Sequence, residues 1–126
     1  MLADLRDLEE QIGPAPTLAP WDVSARLSIL RSRLHEQFRF EEEDGYAHEV
    51  LARAPQLGRK VVKLLDDHAA LAQSLEALVE QARVAESLDD SLRHQLRSWI
   101  HRWRQHESEE NIIFEDAFNV ECCAAD

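Results

Sequence analysis

Residues 92–117 read LRHQLRSWIHRWRQHESEENIIFEDA. Leu92, Leu96, Trp99, Trp103, His106, Glu110, Ile113 and Ala117 recur in alternating steps of four and three. That period places all eight on one face of a helix. The upper part of the stripe is apolar and large, as a buried face should be. His106 and Glu110 then interrupt it, where a carboxylate would have to leave water. The stretch is therefore both a core helix and a candidate site.

The same reading extends back along the chain. A third segment over 57–85 carries Val61, Leu64, His68, Leu71, Leu75, Leu78 and Ala82 on its stripe. A second over 21–52, with a bend near Asp44-Gly45, carries Val23, Leu27, Leu30, Leu34, Gln37 and Glu41. A first over 2–12 carries Leu2, Leu5, Leu8 and Ile12. The breaker run 13–20 separates the first two segments, and Pro20 suits the opening turn of the second. Pro55 ends the second segment or opens the third. Ser87-Leu88-Asp89-Asp90 reads as the cap of the last helix, over about 90–118, and an unpatterned tail follows Asn119. Short connections imply antiparallel neighbours. The expected fold is an all-α, up-down-up-down four-helix bundle, one domain over 1–126.

Composition agrees. The chain has 126 residues, 44% hydrophobic and 31% charged, with three Gly and four Pro. This fits one soluble domain rich in good helix formers. The net charge of −11 opposes nucleic acid and anionic lipid as partners. No apolar run or signal-like segment predicts a membrane or secretory destination. Cys122 and Cys123 are adjacent and form no secreted-type framework, so a cytoplasmic location is expected.

Three stripes thus carry polar residues where a core belongs: Gln37 and Glu41, His68, and His106 with Glu110. Counted from Pro55, Glu41 and His68 lie at matching depths on antiparallel helices, and His106 and Glu110 face the same level. Glu41, His68, His106 and Glu110 are therefore the candidate metal ligands, a mixed nitrogen and oxygen set that suits iron, manganese or zinc. A hydrogen-bonded polar layer that fixes helix register, with no cofactor at all, is the competing reading of the same residues. His48, on the continuation of the stripe past Gly45, is an alternative ligand, and Gln37 a weak one. His35, His94 and His101 are expected at the surface, Trp99 and Trp103 in the core. Of the acidic run 41–44, only Glu41 has the phase to point inward.

The strings LHEQFRFEEEDGY, LLDDHAAL and HESEENIIFEDAFN, in this order and spacing, resemble the hemerythrin-like, HHE cation-binding family over residues 27 to about 120. The resemblance implies a bundle around a non-haem di-iron site. Glu41 and Glu110 would be its bridging carboxylates, and His68 and His106 terminal imidazole ligands. It further implies reversible O2 binding, metal binding, or sensing of iron, oxygen or redox state, rather than enzymatic turnover. This chain has Gln37 where the family has a histidine. The first-helix histidine is missing as well. Gln37 lies roughly 24 Å along its helix, so its first-helix neighbour would fall before Met1. Both losses affect one half of the site, and a single metal is expected in place of two. A short first helix leaves apolar surface uncovered, which predicts a homodimer.

A ferritin-like di-iron oxidase would need Glu-x-x-His on two helices, and no Glu here has a His three residues later. The remaining alternative is a metal-free bundle serving as a scaffold or protein-interaction module. No motif supports nucleophilic or general acid–base catalysis.

Overall fold

A computed structural model describes residues 20–43, 45–85 and 89–124. These are almost wholly helical, with no strand among them. We number the helices α1 (Pro20–Glu43), α2 (Tyr46–Arg53), α3 (Gly58–Val84) and α4 (Asp90–Ala124), with a 3-10 turn over Pro55–Leu57 before α3. The expected segment 2–12 and the breaker 13–19 lie outside the described residues. Among the described residues, no helix is long and apolar enough to cross a membrane.

The segment read as 21–52 is two helices rather than one bent helix. Gly45 adopts φ +108, a left-handed conformation that L side chains rarely take, and the α-helical run stops there. Its carbonyl accepts the Glu49 N–H at 2.7 Å, which starts α2. Pro55 opens the next turn rather than ending α2. Its ring needs no N–H partner at the first position, and the Leu57 N–H reaches the Ala54 carbonyl at 3.0 Å. Asp89 caps α4: its Oδ1 accepts the Leu92 N–H at 2.8 Å. The backbone of α4 runs to Ala124, so the tail after Asn119 is helical, contrary to its lack of pattern.

Successive long helices run antiparallel. Arg31 of α1 pairs with Glu76 of α3, and Ser24 Oγ donates to the Val79 carbonyl farther along. Between α3 and α4, Lys63 meets Glu109 while Ser74 meets Arg102. As one residue number rises, its partner's falls.

The apolar interior is in two parts. The larger joins Val23, Leu27, Leu30, Leu34 and Phe38 of α1 to Leu71–Ala82 positions of α3 and to Leu92, Leu96, Trp99, Ile100 and Trp103 of α4. The smaller joins Val50, Ala54 and Leu57 to Val61, Leu64, Ile113 and Ala117. Trp99 and Trp103 are buried as expected, and the Trp99 indole N–H donates to the Leu71 carbonyl at 3.0 Å. Along α3 the larger part ends at Leu71 and the smaller at Leu64, and along α4 they end at Trp103 and Ile113. His68 lies in the first gap. His106 and Glu110 lie in the second.

Candidate metal centre

Each stripe turns polar at the same depth because the helices pack antiparallel with their phases aligned. His68, His106 and Glu110 are 4%, 3% and 8% exposed. One potential ligand atom from each lies within 4.8 Å of the other two. The two imidazoles converge through the same nitrogen. His106 Nε2 is 2.7 Å from Glu110 Oε1, and His68 Nε2 is 3.3 Å from that same oxygen. Glu41 approaches from α1: its Oε2 lies 3.2 Å from His68 Nε2 yet has no hydrogen-bond partner.

The proton inventory is informative. Without a cation, each Nε2 must carry a hydrogen to satisfy Glu110, and His68 has one such hydrogen for two carboxylates. Glu41 Oε2 is then buried with no well-aligned donor, and its burial beside the Glu110 charge favours the protonated form. With both Nε2 atoms deprotonated, two nitrogen lone pairs and two carboxylates would face one point. That donor set fits a divalent cation with mixed ligands. The convergence alone establishes that the buried group could hold a metal ion.

Electrostatics express the same crowding. Burial opposes ionisation of Glu110, but hydrogen bonds from His106 and His68 outweigh it and hold the carboxyl down at about 2. Burial also opposes a charged His68, but Glu110, Glu41 and Glu42 together raise it to about 9. For Glu41, burial lifts the carboxyl above the usual range. The His68 ring pulls it back, and the Glu110 charge pushes it up again. Two carboxylates share one depth, and only one is fully compensated.

The rings are held from behind as well. Phe38 stacks on His68 with centroids 3.7 Å apart and planes 5° from parallel, and Trp103 lies alongside His106 at 5.9 Å. On the outer edge of His68, Nδ1 is 3.2 Å from Glu42 Oε1. On the outer edge of His106, Nδ1 is 3.7 Å from Asp67 Oδ2, too far for a hydrogen bond. A carboxylate behind an imidazole is the usual device that fixes a ligating histidine.

Gln37 is beside the cluster as a donor: its amide gives hydrogen bonds to Glu41 Oε1 at 3.2 Å and to Glu107 Oε1 at 3.3 Å. It steers Glu41 and presents an amide N–H there. His48 is exposed on α2 and stands apart from the converging set. His35, His94 and His101 are exposed, as their phase required.

Glu42 and Asp67 are the residues that stripe phase missed. Glu42 lacks the phase to point inward, yet it touches His68. Each is adjacent in sequence to a candidate ligand, Glu41 or His68. The available signal was the need of each buried ring for a partner on its second nitrogen.

Two clefts reach the outer edges of the rings. One, of about 170 Å³ between α3 and α4, is bordered by Lys63, Asp67, Arg102, Gln105, His106 and Glu109. The other, of about 380 Å³ between α1 and α3, is bordered by His35, Phe38, Glu42 and His68. No family model, no curated protein and no solved structure matches the chain.

Proposed function

We propose that this is a hemerythrin-like metal-binding protein, a four-helix bundle that holds non-haem iron for binding or sensing iron or oxygen. His68 and His106 would bind through Nε2, Glu110 through its carboxylate, and Glu41 as the fourth ligand. A bound iron ion would supply redox chemistry and affinity for O2. The chain's own residues fix the donors: Phe38 and Trp103 hold the rings, Gln37 steers Glu41, and the flanking apolar clusters keep water from the layer. Manganese and zinc suit the same donors. One metal per chain is the reading supported by Gln37, whose amide is engaged with Glu41 and Glu107. A homodimer remains part of the proposal and is tested by light scattering coupled to size exclusion.

The observation that carries the metal reading is the meeting of two buried Nε2 atoms on one Glu110 oxygen, beside a buried Glu41 oxygen with no well-aligned donor. The test is metal analysis of protein from iron-supplemented cells. Near one iron, manganese or zinc per chain is expected. Metal-free protein that gains no thermal stability from any of the three would refute the reading.

A second reading has its own observation. Glu110 is already hydrogen-bonded to both imidazoles, so the layer can neutralise itself and serve a scaffold. Under that reading, His68→Leu with His106→Leu strands the buried Glu110 carboxylate and lowers the melting temperature, while added metal changes neither wild type nor variant. Under the metal reading, the same double variant loses a metal-dependent gain that the wild type shows.

A further inference from the structure

The two imidazoles differ on their outer edges. His68 has Glu42 within hydrogen-bond range of Nδ1. His106, with only 3% of its surface exposed, has an Nδ1 with no hydrogen-bond partner among the described residues. Its nearest carboxylate oxygen is Asp67 Oδ2 at 3.7 Å. Asp67 also faces Lys63, whose Nζ is 3.8 Å from that same Oδ2 and 3.1 Å from Glu109 Oε2.

The orphan nitrogen follows from the tautomer. While Nε2–H of His106 donates to Glu110 at 2.7 Å, a neutral ring carries no hydrogen on Nδ1. A cation at Nε2 needs a lone pair there, so the ring hydrogen must leave Nε2 and Nδ1 must carry it. There it is buried and requires an acceptor. Asp67 is in place to be that acceptor. Its oxygen has to close by roughly 0.8 Å to reach an ordinary N–H···O separation of about 2.9 Å. Lys63 has Glu109 as its shorter partner, so releasing Asp67 leaves no unpaired ammonium.

We propose that Asp67 is the positioning residue for His106. When a divalent cation takes the Nε2 side of the ring, Asp67 accepts the Nδ1–H on the opposite edge, and Lys63 stays with Glu109. This inference rests on the metal reading above. It adds that metal binding is felt at the protein surface, through the Asp67–Lys63–Glu109 group in the cleft between α3 and α4. Glu42 is already engaged and is not predicted to move.

The experiment is zinc titration of the full chain, with affinity measured by competition and the imidazole nitrogens followed by long-range ¹H–¹⁵N correlation. In the wild type, His106 is expected to change from the Nε2–H to the Nδ1–H form on zinc binding. Asp67→Ala should bind zinc about 10- to 100-fold more weakly, the usual loss when a carboxylate behind a ligating histidine is removed. Asp67→Asn keeps an acceptor oxygen and should recover part of that loss, while Asp66→Ala on the exposed neighbour should match wild type. Circular dichroism of each variant verifies the helical fold. Wild-type protein that binds no zinc overturns the metal reading and this inference with it. Wild type that binds zinc, together with an Asp67→Ala protein within twofold of its affinity, overturns this inference alone.

Discussion

Glu110→Gln tests the centre with almost no change of shape. Glu110 accepts from His106 at 2.7 Å and from His68 at 3.3 Å, and its carboxyl is held down at about 2. The amide keeps one acceptor oxygen but loses the charge, so two charge-assisted hydrogen bonds become neutral ones. Such bonds contribute about 1.5–3 kcal/mol against about 1 for neutral pairs. The new NH2 group sits among imidazoles that donate to this position, with Glu41 as the neighbouring acceptor. The expected loss is about 2–3 kcal/mol, below the 3–5 kcal/mol typical when a buried pair loses one partner outright. For a chain of this length that corresponds to a fall in melting temperature of roughly 8–12 °C. The assay is urea and thermal denaturation by circular dichroism at neutral pH in chelator-treated protein, repeated with zinc. Zinc at a hundredfold excess over its Kd should stabilise the wild type by about 2.7 kcal/mol, and the variant by much less. A variant within about 0.5 kcal/mol of wild type, the ordinary range for surface changes, would refute the reasoning.

The pH profile of the metal-free protein follows from two shifts of opposite sign. His68 is raised from 6.5 to about 9, so its contribution is whole below 6.5 and lost as pH rises through 9. Glu110 is lowered from 4.5 to about 2, so its contribution is present above 4.5 and lost as pH falls through 2. Urea midpoints should therefore decline between pH 6.5 and 9, and a level profile across that window would contradict the His68 assignment. Gly45→Ala should cost about 1–2 kcal/mol from backbone strain at φ +108, since a Cβ there meets nothing within 4 Å; an unchanged urea midpoint would show that the turn is not held. Asp89→Ala removes the oxygen that accepts the Leu92 N–H and should cost about 1 kcal/mol, again read from the urea midpoint, with no loss indicating that another group caps α4.

Much of this arrangement was legible in the stripe. Alternating steps of four and three placed Leu27, Leu34, Leu75, Leu96 and Trp103 inside, and all five are almost fully buried. The same phase singled out His68, His106 and Glu110, because a polar residue on an apolar stripe has no route to water. Helical phase says little about neighbours across a gap. Glu42 and Asp67 were missed for that reason: each is half in solvent, and its role depends on the far edge of a ring on another helix. Gln37 shows the complementary limit. Its position was evident, but whether the amide presents oxygen or nitrogen to Glu41 is decided by the surrounding acceptors. The bend near Asp44-Gly45 was foreseen, but its depth was not, since glycine alone does not specify a left-handed φ.

The polar layer also divides the molecule mechanically. Below it, α2 and the far end of α4 are held by a small cluster of Val50, Ala54, Leu57, Val61, Leu64, Ile113 and Ala117. Above it, a cluster with two tryptophans holds three long helices. Although α3 and α4 run through the layer, the lower block has the smaller apolar cluster, so its amide exchange should be faster than in the upper one. An ion gripped from α1, α3 and α4 would act as a rivet through that seam, and exchange in the lower block would slow once it was in place.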